Sequence, residues 1–205
     1  MSGSRPARLA LAALACLALG GCISLFPKAK PAQLYRFDNE PLQAQAATPA
    51  AGKRVVTRGD MRFETAASAD RILTITGSDA AYIAGARWVS SAPVLFEQAL
   101  VRAFEVGGGP RLAEGGSGVH ATEVLNLDVQ SFETRYDGGP NAAPQVVVQL
   151  HAELVRASDR SIIADQMITS TQRADDNRVG PIVQAYDAAV HDVLGKLVSW
   201  TAQQG

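Results

Sequence analysis

The chain has 205 residues, of which 47% are hydrophobic and 19% charged, with a formal net charge of -1 and a pI near 6.3. That is enough apolar material for one globular domain with a core, and it lacks the basic excess expected of a nucleic-acid binder. Beyond the first 21 residues, no apolar run approaches the roughly 18 to 20 residues that a membrane-spanning helix needs.

The N-terminus is unlike the rest. Arg5 and Arg8 are the only charges in residues 1–21, and "LALAALACLALGG" (9–21) follows without a charge. A short basic region, an apolar run and small residues before a cut describe a secretory signal. An N-terminal core helix fits less well, because Gly20 and Gly21 end the run and "FPKAKPAQ" (26–33) is unfit for packing. Leu19, Gly20, Gly21 and Cys22 resemble the lipobox of bacterial lipoproteins. The resemblance implies acylation of Cys22, removal of residues 1–21 and loss of Cys16 with them. The remaining chain has 17 basic and 20 acidic residues, a net charge of -3. A disulfide between Cys16 and Cys22 would have no folded segment to staple. Ile23 after the cysteine, where aspartate would suggest inner-membrane retention, favours the outer membrane.

Residues 22–33 then form the lipidated cysteine and a tether, with Pro27 and Pro31 favouring extended chain. The domain proper spans 34–205. "QLYRFD" (33–38) is the first strand-like stretch, and "EPLQAQAATPAAGKR" (40–54) reads as a loop. "RVVTRGDMRF" (54–63) is a weak strand, broken by Gly59 and Asp60. "DRILTIT" (70–76) is apolar on both faces, as in a central strand. "AAYIAGARWV" (80–89) reads as strand then turn.

A helix is expected over 90–109. Ser90 or Ser91 can cap it, Pro93 suits its first turn, and Gly107, Gly108 and Gly109 stop it. Its core stripe is Phe96, Ala99, Leu100, Ala103 and Phe104, and Val94 and Val101 interrupt its polar side. Three strands follow. In 123–132, Leu125, Leu127 and Val129 alternate with Asn126, Asp128 and Gln130, and a phase slip before Phe132 marks a bulge. Residues 144–157 alternate more regularly, and 160–174 pairs with them through the turn "SDR" (158–160). This is an antiparallel meander with one buried face. The closing helix, 180–200, opens on Pro181 and carries a stripe of Ile182, Tyr186, Ala189, Val190, Val193, Leu197 and Trp200. The expected fold is α+β: a single mainly antiparallel or mixed sheet with two helices packed on it.

Motifs for chemistry are absent. His120, His151 and His191 lack partners at metal-site spacing, and H-E-x-x-H does not occur. His120 lies in a Gly-rich loop and His151 on the polar face of a strand. His191 lies four residues after Asp187, which reads as a solvated pair. "GGSGV" (115–119) has Val where a nucleophile elbow needs Gly, and "VGGGPRL" (106–112) reads as helix stop and loop. Asp175 and Asp176 read as capping or solvated acids. The expectation is therefore a non-enzyme without metal or cofactor.

"YIAGARW" (82–88), followed by a helix of P-x-L-x-x-x-x-L kind, resembles the ABC-type transport auxiliary lipoproteins. The likeness extends through the lipobox, "QLYRFD", "LNLDVQSFET" (125–134) and "AYDAAVHDVLGKLVSW" (185–200). It departs from the family at 54–63 and in the Gly-rich loop at 107–118. The resemblance implies a lipid-anchored, periplasm-facing accessory of a transporter whose substrate-binding subunit carries an Mce domain. Such systems move phospholipids or other hydrophobic molecules across the Gram-negative envelope. Tyr82 and Trp88 become candidates for an interaction surface, with a core role for Trp88 as the alternative. The other reading is a structural or assembly lipoprotein of the outer membrane, of LPS-export or secretin-pilot type. A homo-oligomer is compatible with either.

Overall fold

A computed structural model describes residues 31–38, 54–115, 121–139 and 141–204. The expected signal, Cys22 and most of the tether lie outside the described residues. So do most of 40–54, His120 and nearly all of "GGSGV". The elements in order are β1 (Gln33–Tyr35), β2 (Val55–Phe63), β3 (Arg71–Thr76), β4 (Asp79–Trp88), α1 (Ala92–Val106), β5 (Arg111–Ala113), β6 (Glu123–Arg135), β7 (Gln145–Arg156), β8 (Ile162–Arg173) and α2 (Val179–Gln203).

The α+β expectation is met: the described strands form one mixed sheet, and both helices pack on its inner face. The antiparallel meander β6–β7–β8 is its spine. Leu125, Leu127 and Val129 of β6 and Val146, Val148, Leu150, Ala152 and Leu154 of β7 point into the core. The alternation buries these residues and leaves Asn126, Asp128, Gln149, His151 and Glu153 on the outer face. The expected slip is real: the β6–β7 register shifts between Val129 and Ser131, which returns Phe132 and Thr134 to the buried side.

The other edge of β6 is shared. β2 runs parallel to its first half, from Val56 opposite Glu123 to Phe63 opposite Val129. A 3-10 turn at Thr65–Ala67 then lifts the chain, and β3 runs parallel to the end of β6, with Thr74 opposite Thr134. β4 is antiparallel to β3, β1 is parallel to β4, and β5 is parallel to β2.

Three boundaries differ from expectation. β2 does not stop at Gly59 and Asp60 but carries them as an irregularity between Arg58 and Met61. The Gly-rich segment after α1 yields β5, because Arg111–Ala113 completes an edge against β2. α2 starts at Val179, so Pro181 is its third residue. Proline is harmless there, since first-turn N–H groups have no intrahelical acceptor. Ser91 occupies the N-cap position of α1 without a side-chain cap bond, and Gly108, at φ 71°, provides the left-handed turn that ends the helix. Among the described residues, no helix is long and apolar enough to cross a membrane.

Candidate functional site

β4 delivers "YIAGARW" to two different environments. Trp88 is 2% exposed and sits in an aromatic cluster: its ring lies edge-on to Phe37 at 5.2 Å and to Tyr186 at 5.1 Å, with Phe132 at 6.3 Å. Trp88 therefore does not present an interaction surface. It shares the inward side of β4 with Ala86, and burying a ring of this size stabilises the fold by about 3 kcal/mol. Beside it, the Tyr186 hydroxyl accepts a hydrogen bond from Thr134 at 3.2 Å, and burial pushes its phenol well above the usual tyrosine range. Tyr82 is half-buried. Its hydroxyl donates to the Ala66 carbonyl at 3.0 Å, and the Arg71 guanidinium lies 3.7 Å above its ring.

A polar junction forms where β1 meets the helices. Phe37 is buried among Trp88 and Phe132, and Asp38 follows it at φ 61°. Asp and Asn tolerate this left-handed region better than other side chains. The Asp38 carboxylate, only 9% exposed, accepts from Arg102 of α1 and lies 2.9 Å from Nε2 of His191 of α2. Its backbone N–H donates to the Asp187 carboxylate. Arg36 adds a bond to Gln98 of α1 at 3.1 Å. Burial, and then the neighbouring Arg36, hold the Arg102 guanidinium below its usual value. His191 and Asp187 are thus not merely a solvated pair, since each binds a different group of Asp38. The contacts span 149 and 153 residues, so no local spacing announces them.

The outer sheet face carries the remaining polar cluster. Asp60, Arg62, Asn126, Asp128, His151 and Glu153 line an open depression of about 500 Å³. Gly59 allows it: the Asn126 amide oxygen lies 2.1 Å from where a β-carbon would stand, and it accepts from the Asp60 N–H at 3.2 Å. Asn126 in turn donates to Glu153, and His151 faces Asp165 at 3.2 Å. Among the described residues, no three His, Cys, Asp or Glu side chains converge as a metal site. Asp176 binds the backbone N–H and side chain of Arg178 at the start of α2, and that bond holds its carboxyl below the usual range. The Asp38 junction spends its ion pairs and hydrogen bonds within the fold, tying β1 to both helices.

The fold is known from solved structures. A DUF330 protein from Xanthomonas campestris superposes with a TM-score of 0.69 at 24% identity, covering 85% of this chain and 97% of its own. An uncharacterized protein gives 0.62 at 12% identity, covering 83% and 99%. A hypothetical protein from Chlamydia trachomatis gives 0.50 at 10% identity, covering 74% and 99%. No curated protein sequence matches the chain. The family model described as the ABC-type transport auxiliary lipoprotein component matches residues 35–198, from Tyr35 of β1 to Val198 of α2. The chain belongs to this family of transport auxiliary lipoproteins, which is not an enzyme family.

Proposed function

We propose that this protein is the lipid-anchored accessory of an Mce-type ABC transport system, moving phospholipids or other hydrophobic molecules across the Gram-negative envelope. The observation that carries this reading is the family match over 35–198 in a chain whose N-terminus bears a lipobox at Cys22. Acylation at Cys22 holds the domain at a membrane, since two or three acyl chains anchor stably where one is marginal. Ile23 favours the outer membrane, with the domain facing the periplasm. Even if fully extended, eleven tether residues would reach at most about 40 Å. The ATPase does the chemical work, and the auxiliary domain engages the Mce-domain subunit. Of the two aromatic candidates, Tyr82 remains for that contact, under the Arg71 guanidinium, because Trp88 belongs to the core.

The test is a pull-down of the full chain from detergent-solubilised membranes. Recovery of an Mce-domain protein with its permease or ATPase is the expected result. Recovery of a secretin or an outer-membrane β-barrel in their place would overturn the transport reading and favour an assembly role.

A further inference from the structure

β8 is a long strand with an open side. It pairs with β7 along Ile162–Arg173, and among the described residues no strand pairs with its other edge. The parity of that edge can be read from its contacts. The Ala174 N–H donates inward to Pro144, so the even-numbered backbone groups face β7. The Met167 carbonyl accepts from the Gln166 side chain and the Thr169 carbonyl from Lys196, so the odd-numbered groups face out. The strand carries neither proline nor lysine of its own, and a single lysine from α2, Lys196, reaches its outer edge at Thr169. Met167, on the outer face, is 42% exposed.

The charges of β8 are symmetric about its middle. Its only ionisable residues are Asp165 and Arg173, four residues before and four residues after Thr169. We infer that β8 pairs antiparallel with β8 of a second copy, with Thr169 of each strand opposite its counterpart on a twofold axis. In this register Asp165 of each copy faces Arg173 of the other, and Met167 faces Thr171. Outward-facing odd residues meet outward-facing odd residues, as an antiparallel ladder requires. The neighbouring register centred on Ile168 sets Asp165 against Thr171, and the one centred on Ser170 sets it against Asp175. Charge complementarity therefore selects Thr169. The contact is isologous, the same patch serving both copies, so it closes at two. Lys196 guards the edge in the single copy. On pairing it yields the Thr169 carbonyl to the partner strand and keeps its 2.7 Å bond to Asp192.

Sedimentation velocity of the full-length protein in detergent tests this over a range of concentrations. The wild type is expected to form a dimer. Asp165→Arg or Arg173→Asp alone should weaken it on the order of tenfold, because each change sets like charges opposite one another at both ends of the ladder. The double variant Asp165→Arg, Arg173→Asp should restore it. Thr169→Pro, which removes an outward N–H and leaves the β7 ladder intact, should abolish it with near-UV circular dichroism unchanged. A wild type that stays monomeric, an assembly indifferent to either single reversal, or a double variant no tighter than the singles would overturn the inference.

Discussion

Tyr186 shows how a single residue ties packing to pH. Its ring completes the cluster around Trp88 and Phe132, and its hydroxyl accepts a bond within the core from Thr134. Burial raises its pKa, so the folded state holds the neutral phenol. The stabilisation is complete below the unfolded value of about 10 and is lost as pH rises above it. Tyr186→Phe should cost about 1 kcal/mol at neutral pH through the lost hydrogen bond. In thermal melts, its deficit against the wild type should shrink above pH ~10. A constant deficit would mean that the phenol ionises freely. Asp38 makes a different demand. Asp38→Asn keeps both the left-handed backbone and an accepting oxygen, whereas Asp38→Ala removes the side-chain partner of His191 and leaves Arg102 with only the backbone carbonyl of residue 38. Urea unfolding should show the larger loss for Ala, about 1 to 3 kcal/mol. Neither role was written in local spacing. Trp88 is a candidate surface residue only through the family-like segment that holds it; its size argues for the core, and the inward phase of β4 puts it there.

At the level of elements, what was legible depended on whether a signal is local. The β6 alternation and its slip before Phe132 are properties of consecutive residues, and the register shift lies where the pattern breaks. The apolar stripe of α2 is equally local: Ile182, Tyr186, Ala189, Val190, Val193 and Leu197 are buried as a 3.6-residue period implies. Trp200 is only partly buried, and the buried face widens to Ala185, Leu194, Val198 and Thr201 because the helix packs on both the sheet and α1. The parallel partnerships of β2 with β6 and β5 are set by distant chain and leave no trace in alternation. β5 in particular is three residues long in a Gly-rich segment, and tertiary context alone makes it a strand. From sequence alone Gly59 is a strand breaker, whereas in the fold it admits the Asn126 side chain. Gly59→Ala would place a β-carbon 2.1 Å from the Asn126 oxygen and 2.6 Å from a Val124 methyl. A loss of about 1 to 3 kcal/mol is expected in urea unfolding, recovered in part by adding Asn126→Ala.

For the whole molecule, the sequence placed the domain in its class through the order of its segments, and the family match over 35–198 agrees. It could not locate the partner surface, because polar side chains on an outward sheet face look the same whether solvated or bound. Anchoring is testable at this scale. Cys22→Ser should abolish incorporation of a fatty-acid probe and release the protein from membranes, while Cys16→Ser should leave labelling intact. The opposite pattern would displace the processing site.

The way β1 enters the sheet has a mechanical consequence. Gln33, Leu34 and Tyr35 lie parallel to Ala86, Arg87 and Trp88, and Phe37 and Asp38 are secured just beyond them. Tension arriving through the preceding chain along the strand axis would load these hydrogen bonds in shear, all together, instead of peeling them off one at a time. Before the strand could slide, Phe37 would have to leave its aromatic socket and Asp38 would have to release both helices. A pull on the preceding chain would thus be met by the β1 ladder, the aromatic cluster and the Asp38 junction acting together.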